Sequence, residues 1–155
     1  VYSWDWDWEG SKLQAILETL VAFLGTAAFA VLFQVPASNI APAGLAGALA
    51  RSVYCAAQRV GFNHLAATFA SAAMLSVMAE WGARRLRVPV SVLVVPGIIP
   101  LVPGADAYFA MLAFLKGQDQ EGLRIAIRTG LAALSVAAGI VTASTLARNV
   151  KRRRR

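Results

Sequence analysis

The chain has 155 residues, 58% of them hydrophobic, and 15 lysines and arginines against 8 acidic residues give a formal charge of +7. So few charges cannot clothe a soluble domain, and the apolar runs between them, about 20 residues or more each, match the ~30 Å of hydrocarbon in a bilayer. The length leaves no room for a soluble catalytic domain beside such spans, and a lone cysteine, Cys55, excludes an intrachain disulfide framework and a thiolate metal cluster.

In chain order, the charges gather at Val1–Lys12, Arg84–Arg87, Lys116–Arg128 and Arg148–Arg155. This divides the chain into an acidic, tryptophan-rich segment (1–12), a transmembrane helical domain (13–147) and a basic tail (148–155). The apolar stretch from Leu13 is too long for a cleavable signal core and lacks a basic front, so it reads as a retained span. Five spans are predicted: Leu13–Val35, Ala43–Val60, Asn63–Gly82, Val90–Leu115 and Leu123–Leu146, with a break at Pro36–Pro42. The second is the weakest, because Arg51, Gln58 and Arg59 interrupt it and it is near the lower length limit. Cys55 reads as a small apolar residue inside a helix.

Arg84, Arg85 and Arg87 follow the third span, and Arg148 with the tail follows the fifth, so two crossings separate them and they share a face. The positive-inside rule makes that face cytoplasmic. With five spans the acidic start, Trp4-Asp5-Trp6-Asp7-Trp8-Glu9, lies outside, where indoles settle at headgroup depth. A basic run directly after an apolar segment signals anionic lipid rather than nucleic acid. Small residues (Gly25, Gly44, Gly47, Ala72, Gly139) recur on several faces, which suits close helix contact and more than one neighbour per helix. Five short helices enclose little by themselves, so a partner subunit or self-association is expected.

The stretch Val94-Val95-Pro96-Gly97-Ile98-Ile99-Pro100-Leu101-Val102-Pro103-Gly104 is the most informative. Three prolines within eight residues each remove a backbone donor, and a regular helix is not expected to run through them. Irregular backbone at membrane depth is tolerated only beside protein or a wet cavity. A discontinuous helix of this kind offers free amides at its restart, here Gly104-Ala105-Asp106, to an anionic group. Asp106 serves either as a cavity-facing carboxylate or as the cap of the restarted helix. Arg51 is read as a pathway residue or as one that snorkels to an interface. His64 is a proton relay, or with Asn63 a helix start. Glu80 and Arg84, one turn apart, form an ion pair. Thr68, Ser71 and Ser76 either line a path or bond carbonyls of their own helix.

The run Val95–Gly104, followed by Tyr108 and Ala110-Met111, resembles the signature of the threonine/serine exporter family, and is most similar to the small membrane subunit of its split form, the carboxy-terminal half of fused members. Phe33-Gln34-Val35-Pro36, Gly61-Phe62-Asn63, Thr68-Phe69, Trp81 and Pro89 fit as well. The resemblance covers roughly Leu20 to Gly117. It implies a secondary transporter of the bacterial cytoplasmic membrane exporting threonine and serine or, in split pairs, dicarboxylates such as succinate. It also implies a larger partner subunit like the amino-terminal half of the family. Asp106 and the tryptophan-rich start depart from the family pattern.

These readings give an all-α integral membrane protein whose fourth span is broken. It is expected to move a small carboxylate-bearing solute by alternating access, with no cofactor, no metal and no enzymatic activity. The substrate is expected at Pro96, Gly97, Pro100, Pro103, Gly104, Ala105 and Tyr108. Asp106 and His64 are the proton-coupling candidates, and Arg51 lies on the path. The alternative is a structural subunit that scaffolds a transporting partner without lining the path.

Overall fold

The computed structural model describes residues 8–152; the side chains of 1–12, 14 and 148–155, and with them the acidic start and the basic tail, lie outside the described residues. The described chain is helical, without a strand: α1 (Trp8–Leu32), α2 (Ala37–Arg59), α3 (His64–Leu86), α4 (Ser91–Ile98), a single 3₁₀ turn (Ile99–Leu101), α5 (Gly104–Leu115) and α6 (Asp119–Arg152). Four of these helices are long and apolar enough to cross a membrane. The pair α4–α5, bent by 47°, makes a fifth candidate.

The bent pair traverses the bundle rather than turning back. Ala72 of α3 lies beside Gly139 of α6, Ser76 beside Ile140 and Arg84 beside Ala147, so α3 and α6 run the same way. One crossing in the opposite sense must join them. At helical rise, α4 with its 3₁₀ turn and then α5 advance about 30 Å even when bent, enough for the hydrocarbon.

Two expectations about proline are corrected. Pro36–Pro42 is not a break: α2 starts directly after Pro36 and carries Pro42 inside it. Pro42 costs one helix bond near the start of α2, where Ala43, Gly44, Ala46 and Gly47 are buried. The second span is therefore a full 23-residue helix. Likewise Pro96 lies within α4, buried. Pro100 has no N–H for the Pro96 carbonyl, so the Ile99 amide takes that carbonyl instead and the helix tightens into the 3₁₀ turn. The true break is at the third proline. Val102, the residue before Pro103, is extended (φ −71°, ψ 126°), as sterics before proline favour.

Packing depends on small residues. A Cβ on Gly44 would stand 2.8 Å from the Phe23 ring of α1, and one on Gly47 would strike Thr26. Gly139 meets α3 so closely that a Cβ there would lie 2.6 Å from the Phe69 carbonyl oxygen. Two hydroxyls reach across helices rather than bonding within their own: Ser71 donates to the Ala50 carbonyl of α2 (2.6 Å), and Ser76 to the Ile140 carbonyl of α6 (3.3 Å). Such bonds are worth about 0.6 kcal/mol on average in a bilayer. Glu80 and Arg84 form the expected ion pair at 2.7 Å, and Arg84 also reaches the Ala147 carbonyl (3.4 Å). α4 is packed against α1, α2 and α3, whereas α5 leaves that group and packs on α6.

Gly139→Val is expected to destabilise the chain in detergent by about 1–3 kcal/mol, because a new side chain must displace α3 backbone. Gly130→Ala, where a Cβ meets nothing within 4 Å, should leave stability within about 1 kcal/mol of wild type. Denaturant titration of the two variants side by side checks the contrast.

Candidate functional site

The break between α4 and α5 opens onto a cavity of about 170 Å³. Its floor is the interrupted segment from Pro100 to Asp106; Arg51 and Tyr54 reach it from α2, His64 and Thr68 from α3, and Ala132 from α6. The cavity is walled by three helices and open on the side of the break, where Val102, Gly104 and Ala105 are exposed. Thr68 is one turn from the start of α3, and Arg51 is eight residues, about 12 Å, from the end of α2.

The restart of α5 differs from its expected form in one respect. The Gly104 N–H is turned back on the Val102 carbonyl (2.8 Å), and the Ala107 N–H pairs with Pro103 (3.1 Å). This leaves the amides of Ala105 and Asp106 as the first-turn donors without a backbone acceptor among the described residues. Pro103 occupies the cap position, so Asp106 is not the cap. It sits in the first turn of α5 on the cavity wall, half-buried, with no hydrogen bond or ion pair among the described residues.

The opposite wall is polar and tied together. Gln58 Nε2 donates to the Tyr54 hydroxyl (2.6 Å), which in turn is 2.7 Å from His64 Nδ1. His64 Nε2 is buried and has no hydrogen-bond partner among the described residues. A polar solute in the cavity is the kind of partner such a nitrogen needs. Asn63, not His64, caps α3, accepting from the Ala66 amide at 2.8 Å. Thr68 bonds the His64 carbonyl of its own helix (2.8 Å) and still lines the cavity.

Arg51 does not stand alone. One guanidinium nitrogen bonds Glu18 Oε2 of α1 at 2.7 Å, and the group lies 4.9 Å from the centre of the Tyr54 ring. The Cys55 thiol donates to the same Glu18 oxygen (3.3 Å), so this cysteine is half-buried and hydrogen-bonded rather than an inert apolar filler. On the next residues along, Thr19 and Ser52 join hydroxyls at 3.2 Å.

Of the residues expected at a substrate site, Pro100, Pro103, Gly104, Ala105, Asp106, His64 and Arg51 line this cavity, and Pro96, Gly97 and Tyr108 do not. Gly97 packs on Leu75 of α3. Tyr108 is 63% exposed, with its ring edge-to-face on Phe109. Pattern reading passed over Glu18, Tyr54 and Ala132. A carboxylate within the first apolar run was the available signal for Glu18. Among the described residues no cluster of His, Cys, Asp and Glu suits a metal ion.

Residues 18–146 match the family described as "Threonine/Serine exporter, ThrE". The chain is also 29% identical over 136 residues to the "Probable threonine/serine exporter" of Mycobacterium tuberculosis, a match covering 84% of this chain and 26% of that protein. It thus spans about a quarter of the length of the curated relative it matches. No solved structure matches it significantly.

If the break faces an open cavity, then in a Cys55→Ala background Ala105→Cys should react with a water-soluble maleimide. Leu93→Cys, placed where the side chain is 1% exposed, should react at least about tenfold more slowly. Labelling in native membranes, followed by mass shift, checks this.

Proposed function

The chain belongs to the threonine/serine exporter family, and we propose that it forms the substrate site of a secondary transporter in the bacterial cytoplasmic membrane, carrying a small amino acid at the break between α4 and α5. The exporter family accounts for a multi-pass helical membrane protein that transports rather than catalyses. The finer reading rests chiefly on one observation: Asp106, without a hydrogen bond or ion pair among the described residues, lines the same cavity as Arg51. An amino acid brings a carboxylate for Arg51 or the Ala105 and Asp106 amides, and an ammonium for Asp106. A dicarboxylate such as succinate brings a second negative charge to a wall that already holds one. The size agrees: a 150 Å³ cavity holds benzene, and serine or threonine has only about one or two more heavy atoms.

Proton coupling follows from the same carboxylate. Asp106 either holds a substrate ammonium or takes a proton, so the two exclude each other, which is the requirement for exchange of an outgoing amino acid against an incoming proton. His64, which lines the same cavity and whose Nε2 has no partner among the described residues, is the candidate to pass that proton. Val102 and Pro103 supply a hinge about which α5 swings for alternating access. The basic residues at Arg84–Arg87 and the tail set the cytoplasmic side, which puts the cavity in the outer half of the bundle and the start of α1 outside. A larger subunit resembling the amino-terminal half of the family completes the path, with anionic lipid around the tail.

In vesicles carrying the chain with that partner, labelled threonine or serine should exchange. Asp106→Asn should abolish accumulation driven by a pH gradient and reduce exchange by about tenfold or more. Gly104→Leu, whose added side chain grows into open space beside the break, should block exchange while the protein remains folded. Wild-type transport by either variant means the solute travels elsewhere, as in a chain that only scaffolds its partner.

A further inference from the structure

The Glu18–Arg51 pair is not absorbed by the reading above. Both side chains are partly open, 40% and 29% exposed respectively, and the pair joins α1 to α2 across 33 positions of sequence. Intramembrane carboxylates are rare and generally face a cavity or a cation. Glu18 does the latter from behind: Arg51 lines the cavity, and Glu18 does not. A second carboxylate is therefore already bound to Arg51, the arginine that lines the cavity among the described residues.

Arginine presents five N–H donors in a planar fork. Glu18 takes one nitrogen, and the Tyr54 ring covers a face of the group. The remaining donors stay available to a solute carboxylate, with the Glu18 charge close behind them. Glu18, Arg51 and Asp106 together carry a net charge of −1 when ionised. A zwitterion adds no net charge to this set. A dianion adds two negative charges to a set that is already negative. Without the Glu18 charge the set becomes neutral, and the penalty on a dianion falls.

We infer that Glu18 is a specificity-determining residue: an internal carboxylate that occupies Arg51 and so keeps the cavity selective for amino acids over dicarboxylates. This rests on the cavity being the substrate site, as proposed above. Glu18 acts through Arg51 and touches no solute, so removing it should alter the ratio of two ligands rather than binding as such. At an effective dielectric near 20, a unit charge some 5–8 Å away shifts an anion's affinity by about tenfold or more.

The test is exchange of labelled threonine in vesicles carrying the chain and its partner, with succinate as competitor. Glu18→Gln should lower the succinate concentration for half-inhibition by about tenfold and move threonine half-saturation by less than about threefold. Glu18→Asp, which keeps the charge, should retain the wild-type ratio. An unchanged ratio in folded Glu18→Gln overturns the inference, and so does a parallel shift for both ligands. If Glu18→Gln fails to reach the membrane, the double variant Glu18→Arg/Arg51→Glu keeps an ion pair but turns its carboxylate toward the cavity. That variant should lose threonine exchange, and wild-type exchange by it makes the pair merely structural. Absence of threonine exchange in the wild type defeats the substrate reading itself, a result distinct from an unchanged ligand ratio.

Discussion

A backbone amide without a partner in hydrocarbon costs several kcal/mol, and nearly everything about this bundle follows from where such amides are allowed to lie. Val102, Pro103 and Gly104 interrupt the helical bonding midway along a span, leaving the amides of Ala105 and Asp106 open. Lipid cannot satisfy them. α2, α3 and α6 converge on the break, and each brings a polar or small residue there: Arg51 and Tyr54, His64 and Thr68, and Ala132. Close packing of α6 on α3 in turn requires Gly139, and that of α2 on α1 requires Gly44 and Gly47, positions where the neighbouring helix leaves no room for a Cβ. The small-residue faces, the buried hydroxyl bonds and the cavity are thus parts of one arrangement.

Two carboxylates, one on the cavity wall and one reaching it only through Arg51, have opposite circumstances. Glu18 is bound to Arg51 and Cys55, and Asp106 has no partner among the described residues. The first fixes a cation in place, and the second remains free to bind one. Similar residues on different helices thus differ in circumstance through their neighbours alone.

Much of this was legible in the sequence, and the illegible parts have physical causes. Apolar runs located all five spans, and the clustered prolines marked the interruption, because hydropathy and missing N–H groups are local properties. Which proline broke the helix was not local. Pro42 and Pro96 are carried inside helices whose packing among neighbours holds them, while Pro103 ends one because Val102 must leave the helical region. Ser71 and Ser76 illustrate the same limit: a hydroxyl on a helix has its own turn as the nearest acceptor, and only the approach of α2 and α6 offers another. The Glu18–Arg51 pair and the Tyr54–His64 contact join residues on separate helices, so no periodicity announces them. Asp106 was readable as a polar residue at a break, but its solitude depends on every element around it.

The seat of α4 bears on how the protein is made. α4 and the turn after it comprise 8 and 3 residues and rise about 18 Å, well short of a bilayer. Alone, this piece would end with open carbonyls in lipid. Its resting place is the groove among α1, α2 and α3, all three of which precede it in the chain. The groove therefore has to be assembled first, and order of synthesis supplies it first.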